Sequence, residues 1–135
     1  PLSFQVLIYP QTDLTCSTLS HQEFEKGYLL EKESIEWYKT QYLGKGGKAE
    51  DPRISPLLAP DLSGLPPALI ITAEFDPLRD EGEIYAQRLK EAGVPVKLHR
   101  YKGMVHGFFQ MAGILDDARL AIQEVAETLK THFNL

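Results

Sequence analysis

Two different periods of apolar and polar positions run along this chain, and the switches between them mark out its elements. Residues 4–9 are a short apolar run containing Val6 and Ile8 and stopped by Pro10, which predicts a buried strand. Residues 68–73 follow the pair Pro66-Pro67 and are apolar on both faces, as a strand covered by helices on both sides should be. Residues 94–101 alternate apolar and polar, so one face of a third strand is less buried. Pro95 near its start suits a strand beginning or an edge.

Helical spacing fills the intervals. From Asp80, an N-cap acceptor with Glu83 at the N3 position predicts a capping box; Tyr85, Leu89 and Ala92 then form an apolar stripe that Gly93 ends. Ala118, Ile122, Val125 and Leu129 mark a last helix that begins at Asp116-Asp117, where carboxylates favour the positive end of the helix dipole. Ile35, Tyr38 and Tyr42 predict another between Glu31 and the Gly44-Lys45-Gly46-Gly47 turn. A strand, a helix and a further strand make a βαβ unit, so the fold class is α/β with a parallel sheet. Residues 11–65 form a connection far longer than usual, an excursion with one helix that reads as the roof of a binding site. Residues 66–135 carry the strand, helix, strand and helix that follow it.

Composition narrows the classes. With 14 Lys+Arg against 19 Asp+Glu the net charge is −5, which argues against a nucleic-acid partner. No apolar run approaches the roughly 20 residues of a membrane span. A single cysteine, Cys16, excludes an internal disulfide, and the expected setting is cytoplasmic. The 135 residues match one ordinary domain, but the chain opens Pro-Leu-Ser without Met, so a processed start or a piece of something longer is expected.

In parallel sheets, chemistry gathers at the carboxyl ends of the strands. Asp76 follows the second strand and His106 the third, and neighbouring strands lie about 5 Å apart. The two loops can therefore bring a carboxylate to one imidazole nitrogen and leave the other as a general base. Taken singly, Asp-Pro is a common turn device and His-Gly a common solvated loop. Their placement at corresponding strand ends gives them weight. Asp80 and Glu81 compete as acids, but helix capping accounts for them. His21, His99 and His132 are scattered without metal-ligand spacing, so no metal is expected.

Asp76-Pro77-Leu78-Arg79-Asp80-Glu81-Gly82, Ala92-Gly93-Val94 and His106-Gly107-Phe108 together resemble the hormone-sensitive-lipase-like carboxylesterases of the α/β-hydrolase fold. The approach 65–73, Ser55-Pro56-Leu57 and Leu7-Ile8-Tyr9-Pro10 match in the same order, over nearly the whole chain. The resemblance implies a serine esterase in which Asp76 is the triad acid and His106 the triad base, acting on a small carboxylic ester without a cofactor. It places Trp37, Tyr38 and Tyr42 in a region that lines the substrate pocket; helix packing is the competing reading. Leu78, Phe108 and Phe109 become candidate pocket walls, with core packing as the alternative.

The family order is Ser, then Asp, then His. None of Ser3, Ser17, Ser20, Ser34, Ser55 and Ser63 lies in a G-x-S-x-G elbow, and no His-Gly-Gly-Gly motif is present. The chain therefore matches the C-terminal part of a single α/β-hydrolase domain, expected to need a partner segment that carries the nucleophile and oxyanion hole. Alone it is expected to be inactive, and its first strand should present an open edge. A non-catalytic, receptor-like or dehydratase-like member of the fold is the alternative function. A self-sufficient flavodoxin-like domain fits less well, since only three strands are legible where four to six are usual.

Overall fold

A computed structural model describes residues 2–135. Three parallel strands, β1 (Gln5–Ile8), β2 (Ala68–Phe75) and β3 (Val96–Val105), lie in the order β1-β2-β3. The helices are α1 (Ser20–Glu23), α2 (Lys32–Leu43), α3 (Arg79–Glu91) and α4 (Asp116–Phe133), with 3-10 turns at Pro56–Leu58 and Phe108–Met111. The excursion thus holds α1 and a 3-10 turn besides the single helix its spacing predicts.

β2 is the centre of the molecule because its side chains satisfy both layers. Ala68 and Ile70 face Tyr85, Ala86 and Leu89 of α3, while Leu69, Ile71 and Ala73 face Tyr101, Phe108, Ala118 and Ala121 on the α4 side. That alternation is the two-residue period of a strand read on two covered faces. Thr72 continues the α3 face, its hydroxyl donating to Glu83 at 3.0 Å. Gly82 lets the helix come close: a Cβ there would meet Thr72 Cγ2 at 3.3 Å and Pro10 Cδ at 3.6 Å.

β3 begins two residues later than the alternation predicts and continues to Val105, past Gly103. The cause is a bulge. Ala73 pairs with Tyr101 but Phe75 pairs with Val105, so β3 carries two extra residues over that interval. Gly103 sits there at φ 74° and donates its N–H to Glu74 Oε2 at 2.7 Å. β2 likewise runs to Phe75 rather than stopping at Ala73.

α4 buries Ala118 and Ala121, with Val125 packed behind them, whereas Ile122 turns outward; the buried stripe is rotated from the expected one. On α2 only Ile35 is buried, and Trp37, Tyr38 and Tyr42 are exposed, which removes the helix-packing reading for all three. β1 is half-buried along its length and pairs with β2 on one side, so its other edge is open among the described residues. The excursion returns to the core through Leu57, whose N–H donates to the Thr12 carbonyl at 2.9 Å, and through Arg88, which donates to the carbonyls of Leu57 and Ala59. Among the described residues, no helix is long and apolar enough to cross a membrane.

Candidate active site

The β3 bulge has a direct consequence at the rim of the sheet. By making Val105 the partner of Phe75, it makes His106 and Asp76 the next residues on their strands. Asp76 is fully buried, and its carboxylate is oriented from both sides. Oδ1 accepts the Leu78 N–H at 2.8 Å, a turn of the Asx type that Pro77 supports by fixing its own φ. Oδ2 lies 2.9 Å from His106 Nδ1. An ionised carboxylate can only accept, so Nδ1 carries the proton in this contact. The imidazole is 24% exposed, and its Nε2 has no hydrogen-bond partner among the described residues. Gly107, at φ 84°, turns the chain away directly after the imidazole into the 3-10 turn, where Phe108 is fully buried.

A buried carboxylate on one ring nitrogen and an open second nitrogen make a base of fixed tautomer whose protonated form is stabilised. The sequence also singled out Leu78, Phe108 and Phe109. Leu78 is buried beside Asp76, Phe108 packs in the α4-side core, and Phe109 is partly buried against the same cluster. An open cleft of about 560 Å³ lies between the residues after β1 and α2, lined by Gln11, Leu14, Tyr38, Tyr42 and Ile54.

The competing carboxylates are not helix caps. The residue before α3 is Leu78, without a side-chain cap, and the carboxylates of the first turn reach across to the excursion instead. Asp80 Oδ2 accepts the Ser20 N–H at 2.9 Å, and its Oδ1 accepts from Arg79 Nε at 2.8 Å. Glu81, with no exposed surface, accepts the N–H groups of Thr12 at 2.5 Å and Asp13 at 2.9 Å, and its other oxygen lies 2.7 Å from His21 Nε2. Burial raises the Glu81 pKa, opposed by the bonds from His21 and the two backbone amides. Ser20 Oγ completes the clamp by donating to the Pro77 carbonyl at 2.6 Å. Residues 12–21 are thereby fastened to the loop that carries Asp76. The partners lie 57 to 69 positions apart, so no local spacing reveals them. Glu83 is also drawn off, accepting from Thr72 and Arg100.

The remaining histidines have structural partners. His99 Nδ1 lies 2.8 Å from Glu124 Oε2, an oxygen that also accepts from the Tyr101 hydroxyl at 2.8 Å. His132 packs on Phe4 with ring centroids 4.7 Å apart. The Cys16 thiol is pushed up to about 11, chiefly by burial, which makes it a poor nucleophile at neutral pH. Among the described residues, no group of three or more His, Cys, Asp or Glu is placed to hold a metal. One aromatic stands outside the candidate site residues of the sequence: Tyr9, read as a strand residue, has its ring centroid 4.4 Å from that of His106.

Comparison with known proteins agrees with this architecture. A family model for the α/β hydrolase fold matches residues 1–110. Carboxylic ester hydrolase LipN of Mycobacterium tuberculosis is 45% identical over 131 residues, covering 96% of this chain and 35% of that protein. An ethyl acetate hydrolase of Pseudomonas putida is 43% identical, covering 95% of this chain and 40% of its own length. Among solved structures, a hyperthermophilic esterase from the archaeon Pyrobaculum calidifontis superposes with a TM-score of 0.91 at 45% identity, over 96% of this chain and 43% of that one. The chain spans about two fifths of the length of the relatives it matches. Strand order, the rim carrying Asp76 and His106, and these matches agree: the chain belongs to the α/β-hydrolase fold family.

Proposed function

We propose that this chain supplies the acid and the base of a serine carboxylesterase. The observation that carries the reading is the 2.9 Å contact between His106 Nδ1 and a fully buried Asp76 at the carboxyl rim of a parallel sheet. In this mechanism Nε2 of His106 takes the proton of a serine hydroxyl as its oxygen attacks the ester carbonyl. Asp76 stabilises the imidazolium that forms, and the proton then passes to the departing alkoxide. Water repeats the sequence to release the acid.

The serine and the oxyanion donors come from a segment outside these residues. The buried hydroxyls of Ser20 and Ser55 donate to the backbone carbonyls of Pro77 and Ala49, and Ser63 bonds Asp61. None of the hydrogen bonds of His106 among the described residues involves a serine. The names of the relatives, carboxylic ester hydrolase and ethyl acetate hydrolase, support small carboxylic esters as the substrate class. Exposed Tyr38 and Tyr42, lining the cleft beside α2, support the excursion as a roof over the substrate site. A cytoplasmic setting, in which the lone Cys16 thiol stays reduced, completes the reading.

The test uses the full-length protein that carries this chain. A fluorophosphonate probe should label one serine and abolish hydrolysis of a short p-nitrophenyl ester. His106→Ala should suppress both labelling and turnover. Undiminished turnover in that variant would remove His106 from the mechanism.

A further inference from the structure

Tyr9 is the first residue past β1, and its backbone lies at φ 37°. A bulky L-residue reaches that region only at a cost in free energy and stays there when its surroundings enforce it. The enforcement is local. The Tyr9 N–H still donates to the Ile71 carbonyl at 2.7 Å, as though the strand went on. Pro10 then fixes the next φ, and its ring lies against Gly82 of α3. The turn forced between these two anchors carries the phenol ring over the rim, where it meets His106 at 4.4 Å and 55° and Phe108 at 6.0 Å and 61°.

His106 needs such a neighbour. Among the described residues the imidazole's only hydrogen bond is to Asp76, and rotation about the Cβ–Cγ bond of an imidazole is soft. The next residue, Gly107, has no side chain to confine it. Burial, and then the charge of Asp76, raise the phenol pKa of Tyr9, so the ring beside the pair stays neutral.

We propose that Tyr9 is a positioning residue: its ring, delivered by a strained backbone, holds the His106 imidazole in the orientation that keeps Nδ1 on Asp76. The proposal rests on the assignment of His106 as the esterase base. A purely structural Tyr9 would contribute to stability and leave the chemistry untouched.

The full-length protein carrying Tyr9→Phe, Tyr9→Asn and His106→Ala separates these cases. Phe keeps the flat ring, and Asn tolerates positive φ without one. Turnover of a short p-nitrophenyl ester gives kcat and KM, and proton NMR follows the His106 Nδ1–H, expected downfield from its bond to Asp76. Tyr9→Phe should keep near wild-type kcat and the downfield proton. Tyr9→Asn should lose about 10²-fold in kcat at little-changed KM, the scale of a misplaced catalytic group, and the proton should broaden away. Where Tyr9→Asn does not fold, Tyr9→Leu, apolar and without a flat face, should show the same kcat loss. Wild-type kcat with a retained downfield proton in either ring-less variant overturns the proposal, as does a loss confined to KM or to melting temperature. An active His106→Ala would instead overturn the esterase assignment, whereas an inactive one beside an active Tyr9→Asn would sink the role of Tyr9 alone.

Discussion

Replacing Asp76 by asparagine exchanges one carboxylate oxygen for an NH2 group and should leave the fold in place. The amide oxygen can still accept the Leu78 N–H that Oδ1 accepts at 2.8 Å, so the turn survives. The amide nitrogen then faces His106 Nδ1, where a carboxylate oxygen stood at 2.9 Å. A donor facing that nitrogen requires it to be an acceptor, so the ring proton moves to Nε2 and the base is occupied by its own proton. The electrostatic part adds to this. A unit charge about 4 Å from the imidazolium is worth about 4 kcal/mol at an effective dielectric of 20, and each 1.36 kcal/mol is tenfold in rate. The expected loss in kcat of the full-length protein is therefore about 10³-fold or more. The melting temperature should change little, and KM should hold because the substrate contacts are untouched. Stopped-flow hydrolysis of a p-nitrophenyl ester, with thermal melts alongside, measures both. A variant that retains a tenth of wild-type kcat while melting normally would refute the assignment of Asp76.

The clamp at the start of α3 makes a stability prediction. Glu81→Ala leaves two backbone amides and His21 without their buried acceptor and should cost about 3–5 kcal/mol in urea unfolding, whereas Glu81→Gln keeps an acceptor and should cost about 1–2. Near-equal losses would contradict the hydrogen-bond account. For Glu124, burial pushes the pKa up, but bonds from Lys97, Tyr101 and His99 outweigh it and hold the folded value below 4.5. The folded state then binds fewer protons, so this carboxylate contributes stability above pH 4.5 that is lost as pH falls through the folded value. Melts of wild type and Glu124→Gln should differ most near neutrality and converge in acid; a gap that widens in acid would reverse the sign.

How much of this was legible in the sequence depends on how far each residue reaches. β2 declares itself because its covering helices demand an unbroken apolar run, and the α/β order follows. Asp76 and His106 are legible for a related reason: each stands next to a strand end, so topology alone places both on one rim. The misreadings share a different cause. Asp80 and Glu81 sit where caps sit, yet their partners, Ser20, Thr12 and His21, are supplied by a distant stretch of chain. Ile122 fits the periodicity of α4 as well as Ala121 does, and only the rotation of the helix against Tyr101 and Phe108 decides between them. The end of β3 lies beyond the alternation of residues 94–101, because a bulge at Gly103 breaks that alternation and the strand then continues to Val105.

That bulge also leaves slack in the run between Tyr101 and His106. β3 takes four steps from Tyr101 to Val105 where β2 takes two from Ala73 to Phe75, and the surplus is held out of the ladder. Deleting the two surplus residues would let the ladder run on unbroken from Tyr101, with Val105 still opposite Phe75 and the imidazole still next to Asp76. Such a deletion removes the Gly103 N–H that holds the Glu74 carboxylate at 2.7 Å. Length libraries for remodelling the rim can therefore draw on this slack as well as on the excursion.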